Sequence, residues 1–224
     1  MNAFLPLLLL TLLVVTGQPA KEAVEKPKLI DYEGELNDKL GQGITPEKNA
    51  NVLLFKVFGP KPEGGKMADG YFKRLGIEEP PENGDYFVSL GNFVIDHLLL
   101  EPDERDEVYM QQAWATREPW AAKDYPFLGA WIKLNEKPLV VLHEAVKRPQ
   151  YFNPLVSKKA EQAPGSIIGA LLPSVQKCRE LASLLTGRAM LRLHEGKLDE
   201  AWADLMACHR LARHVAHGDR KSVV

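Results

Sequence analysis

The chain holds two cysteines among 224 residues. That count excludes the disulfide framework that staples small secreted folds. A single bridge between Cys178 and Cys208 is disfavoured as well. A helical hairpin turning near Gly196 sets Cys208 opposite about residue 185. Cys178 then lies ~10 Å further along the helix, beyond the ~7 Å Cα spacing that a bridge tolerates. Catalytic signatures are also missing: there is no H-E-x-x-H, C-x-x-C, G-x-S-x-G or P-loop. The net charge of −2 gives no bulk attraction to nucleic acid. No fixed-period repeat is visible before the last hairpin.

What is present is a packed composition, 45% hydrophobic and 26% charged, which argues against disorder. The charges are unevenly placed. Glu78 to Glu107 holds ten acids against Arg105 alone, whereas Lys123 to Lys159 holds seven bases against Asp124, Glu136 and Glu144. Solvated faces attracting each other weakly account for this. An acidic docking surface is the sharper alternative.

Phe4 to Thr16 is an apolar run of signal-peptide length, too short to cross a ~30 Å bilayer comfortably. Val15-Thr16-Gly17 suits cleavage after Gly17, with Ala20 the second choice. Residues 1–17 are therefore expected to be a signal peptide and 18–28 a linker. The protein is expected to be exported, periplasmic or extracellular; an uncleaved N-terminal anchor is the alternative. At the other end, Asp219 to Val224 reads D-R-K-S-V-V, which a common sequencing-adaptor string followed by a stop codon encodes. Residues 219–224 are expected to be an artefact, and the protein to continue past the hairpin.

Between these ends the pattern predicts a mainly α fold. Residues 29–165 read as an irregular helical region. Ile30 to Leu40 suits a helix ending at Gly41. Thr45-Pro46-Glu47 reads as a helix start with Thr as N-cap and Pro at the first position. That helix should run to Phe58 and stop at Gly59-Pro60. Met67 to Leu75 is a short helix stopped by Gly76. Tyr86 to Ile95 fits a small β-hairpin around Leu90-Gly91-Asn92 within residues 85–97. A helix over Phe93 to Leu100 fits nearly as well. Pro102 opens a helix to Thr116. Pro126 opens another, which Pro138 should kink or split, with Asn135 as a local cap if it splits.

Residues 166–218 read as a helical hairpin, turning at Gly196-Lys197. Its second helix carries Leu198, Ala201, Trp202, Leu205, Cys208, Ala212 and Val215 at i, i+3, i+4 spacing. Trp202 is expected to anchor the core from this stripe. Met190, Leu193 and Met206, beside it, are expected to lack cover, which predicts self-association.

No residue earns a catalytic, cofactor-binding or metal-binding role, and the question of enzyme activity stays open with no motif to support it. His143-Glu144 lacks a second His at position 147. His209, Arg213 and His217 line up at i, i+4, i+8 beside His214, but a metal site would want a ligand where Arg213 stands. Complementing the helix dipole is the simpler role. Cys208-His209 are neighbours on one helix and point ~100° apart, so they make a poor catalytic dyad. Tyr109, Trp114, Trp120, Tyr125, Phe127 and Trp131 read first as core beneath a loop and second as a carbohydrate-stacking platform.

Ala189, Gly196, Ala201, Leu205 and Cys208 fall where a tetratricopeptide repeat prefers small, Gly, Ala, large apolar and small residues. The hairpin resembles one such repeat. Arg188 and Arg192 depart from it, standing where the motif takes a large apolar and an aromatic residue. A wider set is similar to a family of predicted exported proteins from planctomycete-type bacteria. It comprises Thr45 to Ala50, Gly59-Pro60, Arg117 to Trp120, Trp131 to Leu139, Arg148-Pro149 with Tyr151 and Pro154, Arg188 to Leu191 and Ala201 to Leu205. That resemblance implies export, helices and a chain continuing beyond this hairpin, and it carries over no catalytic residues. The expected role is an interaction or scaffold module, with a protein partner or further C-terminal repeats packing on the last hairpin. The alternative is the non-catalytic part of an envelope hydrolase or carbohydrate-binding protein.

Overall fold

The computed structural model describes residues 31–62, 64–156 and 174–220, with side chains to residue 216. The expected signal peptide and linker, most of the long connection before the hairpin, and residues 221–224 of the adaptor-like tail lie outside them. The described residues are mainly helical and contain no sheet.

Local signals explain most helix limits. α1 (Tyr32–Gly41) starts where the Asp31 carboxylate accepts the Gly34 amide. α2 (Ala50–Phe58) stops at Gly59, whose φ of 78° only glycine adopts cheaply, and a Cβ there would meet the Tyr86 ring at 2.8 Å. α3 (Tyr71–Leu75) ends at Gly76 in the left-handed region. α5 (Pro102–Ala115) opens with a capping box between Glu101 and Glu104 and with Pro at its start. α6 (Pro126–Leu134) and α7 (Glu136–Ala145) meet at Asn135. The split comes three residues before Pro138. Pro138 therefore sits in the first turn of α7, where its missing donor costs nothing. α8 (Val175–His194) and α9 (Leu198–Arg220) form the long hairpin, with Gly196 at φ 75° in the turn.

Two expectations fail. Residues 85–97 form no β-hairpin: Ser89 caps α4 (Leu90–Asn92), which runs into a π-helical turn, Phe93–His97. The side chain of Ser89 reaches the Asn92 amide and closes a helical turn where the hairpin turn was expected. The second failure is the start of α2. Thr45 to Lys48 makes a single turn, and the helix begins only after Asn49. Asn49 caps Asn51 and pairs its backbone strand-fashion with Gln150, which delays the helix.

The core is continuous from α2 to α9. Leu54, Val57, Trp131, Leu139, Leu142, Leu181, Leu184, Leu185 and Leu211 are all buried in one cluster. A smaller cluster on the other side of α2 joins Phe55, Tyr71, Phe72 and Leu75. α2 is thus largely apolar, with Lys56 its one exposed residue, because it lies between them. The acidic and basic stretches meet at Asp85–Lys137, an exposed pair at 2.9 Å worth at most about 1 kcal/mol.

Three asparagines hold the irregular segments against this core. Asn37 accepts from the Leu155 amide at 2.8 Å and donates to its carbonyl at 2.7 Å. Asn49 accepts from Phe152 at 2.9 Å and donates back at 3.0 Å. Asn135 does the same to Val88, at 2.9 and 3.0 Å. Each side-chain amide imitates a backbone partner, so buried extended residues are satisfied without a sheet. Asn135 stands at the expected break; its side chain clamps Val88 and donates to the Trp131 carbonyl at the end of α6 at 3.0 Å, and makes no N-cap bond to α7.

Candidate functional site

The C-terminal hairpin concentrates the unusual chemistry. Its centre is Asp204, whose side chain is fully buried. Arg188 grips it with a fork: Nε donates to Oδ2 at 2.9 Å and Nη2 to Oδ1 at 2.5 Å. Arg192 Nη1 donates to Oδ2 at 2.7 Å, and Arg192 Nε pairs with Glu200 Oε2 at 3.3 Å. His143 of α7 brings Nε2 within 2.9 Å of Oδ1. Burial opposes ionisation of Asp204. The hydrogen bonds from His143 and Arg188, and the charges of Arg188 and Arg192, outweigh it and hold the carboxyl below the usual range. The two arginine charges are matched by Asp204 and Glu200, so the cluster is locally compensated.

A carboxylate beside a histidine invites a catalytic reading. The geometry does not develop it. All hydrogen-bonding capacity of Asp204 is spent on α7 and α8, and no hydroxyl or thiol contacts His143 among the described residues. The cluster instead locks three helices in one register. Arg188 and Arg192 face the buried Asp204 carboxylate from α8.

Burying Asp204 turns α9. The buried line is Ala201, Asp204, Ala207 and Leu211, rotated by roughly 80° from the apolar stripe at 100° per residue. Trp202 is consequently 65% exposed, as is Leu198. Trp202 is not the core anchor that the stripe predicts. Leu205 and Met206 are half-buried and continue the same outer line, and Met190 and Leu193 of α8 are also half-buried.

The remaining candidates separate. Of the aromatic stretch, Trp120 and Trp131 are core, their indole N–H groups bonded to Gly187 and Val88 carbonyls at 2.9 and 2.8 Å. Tyr125 is half-buried against Trp120. Tyr109, Trp114 and Phe127 are exposed. Tyr109 and Trp114 lie ~140° apart around α5, so they present no common platform. His209 and Arg213 are exposed, and His214 stacks on Tyr151 with centroids 6.0 Å apart. The side chain of His217 lies outside the described residues. No group of three or more His, Cys, Asp or Glu that could hold a metal ion occurs among the described residues.

Cys178 and Cys208 are not joined by a disulfide, and both line an apolar groove of about 400 Å³ with Tyr151, Leu155, Leu211 and Val215. The Arg188–Asp204 and Arg192–Glu200 pairs set Cys208 opposite Leu184. Cys178 is then ~9 Å further along α8.

No helix among the described residues is long and apolar enough to cross a membrane. No protein-family model matches the chain, and neither a curated protein nor a solved structure shows significant similarity to it.

Sequence reasoning missed the Asp204 cluster. The signal was available in two places. Arg188 and Arg192 lie one helical turn apart on the otherwise largely apolar Leu184 to Leu193 stretch of α8. Ala201, Asp204, Ala207 and Leu211 form a line of small and apolar residues interrupted by one acid.

Proposed function

We propose that this protein is an exported helical interaction module, and that the outer face of its tetratricopeptide-like hairpin docks an amphipathic helix of a protein partner. The carrying observation is the exposed line on α9, with Leu198 and Trp202 each 65% exposed and Leu205 and Met206 continuing it. The inner face of the same helix already has its own core. Trp is among the residues that concentrate binding energy at interfaces, and a Trp held outward on a rigid helix loses little entropy on docking. Asp199 flanks the line, so a partner helix with basic residues beside its apolar stripe is complementary. The hairpin reading draws support from buried Ala189 and Ala201 and from Gly196 in the turn. Export rests on the Phe4 to Thr16 run alone.

Without its partner, the exposed line should bring copies of the protein together. Light scattering over a concentration series is expected to show association that Met206→Lys and Trp202→Lys both weaken. A protein that stays monomeric at high concentration, or associates equally in both variants, overturns the docking face. Mass spectrometry of the exported protein should find an N-terminus at Gln18.

A further inference from the structure

We propose that a second, separate site binds a phosphate-type dianion, in a concavity between the end of α7 and the middle of α9. This inference does not rest on the docking reading.

The concavity measures about 610 Å³ and is lined by Lys147, Arg148, Arg210, Arg213 and His214, together with Val146 and Pro149. That volume suits a small ligand. Every ionisable side chain lining it is a base. Lys147 is paired on one side with Glu144 at 2.7 Å. Arg148 is held by carbonyls, its Nη1 donating to Pro46 at 2.6 Å and Asn49 at 2.9 Å. Those bonds position the guanidinium, and its charge also acts on the nearby Glu47 carboxylate. Arg210 and Arg213 are exposed and have no carboxylate partner among the described residues. Arg188 and Arg192, by contrast, are each matched by an acid.

The helix dipole does not account for the two α9 arginines. It acts within the last turn of a helix, and α9 continues to Arg220. Arg210 and Arg213 therefore sit in mid-helix, at a like-charge i, i+3 spacing that destabilises a helix by a few tenths of a kcal/mol. The last carbonyls of α7 repel an anion, but the chain covers that end with Lys147 and Arg148. His214 forms a fixed wall, stacked on Tyr151 with Nε2 3.4 Å from the Val146 carbonyl.

The chemistry follows from the donors. Arginine forks favour oxyanions that accept two bonds at once. The two guanidinium charges of Arg210 and Arg213, without an acid partner among the described residues, exceed what one carboxylate neutralises, so a dianion fits better. A phosphate monoester has that charge and oxygen count, whether free in solution or as the headgroup of phosphatidic acid.

The test titrates the intact protein with inorganic phosphate, with chloride at matched ionic strength as the control, and follows the arginine Nε–Hε resonances by NMR. Arg210 and Arg213 signals should shift with phosphate and saturate. In Arg210→Gln/Arg213→Gln the affinity should fall about tenfold or more, the loss of one or more charge-assisted bonds. Lys133→Gln, exposed on α6, should bind as the parent does. Far-ultraviolet dichroism checks that the double variant keeps its helices. Co-sedimentation with phosphatidylcholine vesicles, with and without phosphatidic acid, separates the sources: acid-dependent binding that phosphate competes away assigns a headgroup, and phosphate binding alone assigns a soluble ligand. Equal shifts with chloride, or full phosphate affinity in the double variant, would overturn the site.

Discussion

Two regions of this molecule bury polar groups, and they do it in different ways. In the N-terminal two-thirds, neutral asparagines pair with single backbone residues of irregular segments. In the C-terminal hairpin, one carboxylate is buried among two arginines and a histidine. The asparagine clamps shape loops and cost little, because an amide carries no charge out of water. The Asp204 cluster takes charges from water and recovers that cost only through its full set of partners. The first device should therefore be locally sensitive and indifferent to pH. The second should be all-or-nothing and acid-sensitive.

The largest break is expected at Asp204. Asp204→Asn removes the charge that compensates buried Arg188 and should cost about 3–5 kcal/mol, measured as urea-unfolding free energy. Replacing both partners together, Asp204→Leu with Arg188→Met, should cost far less, since apolar substitutes for a whole buried pair are often neutral. If the double variant is as unstable as the single, the register depends on the charges themselves and not on filled volume.

Asn49→Ala comes next. It removes the N-cap of α2, worth about 1 kcal/mol, and leaves the Phe152 amide buried without its acceptor, at about 1–3 kcal/mol. A total near 2–4 kcal/mol is expected by the same measurement. The pH dependence sharpens the contrast. Asp204 is held below the ordinary carboxyl value, which is about 3.9 in an unfolded chain. Its contribution is complete above that value and is lost as pH falls through the lower folded one. Acid unfolding of Asn49→Ala should therefore parallel the parent curve, displaced downward. Asp204→Asn should show a shallower slope below pH ~4. Equal slopes in all three would mean that another acid controls acid unfolding.

Helix limits were legible where a local residue dictates them. Pro102, Pro126, Gly59 and Gly76 act through their own backbone geometry, and each stands where a helix starts or stops. The clamps were not legible, because Asn37, Asn49 and Asn135 meet partners 118, 103 and 47 positions away. Thr45-Pro46-Glu47 carries the right start signals, yet the strand-like pairing of Asn49 with Gln150 overrode them. The candidate site was hidden for a related reason. A stripe computed from hydrophobicity treats Asp204 as outward-facing, and only the arginines on the facing helix reverse that. The basic concavity likewise needs α7 and α9 side by side before its charges converge.

The smallest expected effect is the most informative about that reversal. A buried Trp202 would lose about 3–5 kcal/mol on truncation to alanine. At 65% exposure, the ring contributes little to folding, and surface changes of this kind usually stay within about 0.5 kcal/mol. Trp202→Ala should therefore unfold at nearly the same urea concentration as the parent while associating less in light scattering. Its emission should already be red-shifted in the folded parent, as expected for an indole in water; buried Trp120 and Trp131 dilute that signal, so a difference spectrum between parent and variant isolates it. A loss of several kcal/mol would mean that α9 buries its apolar stripe after all. Asp204 would then face solvent, and the arginine fork that organises the hairpin would have to open.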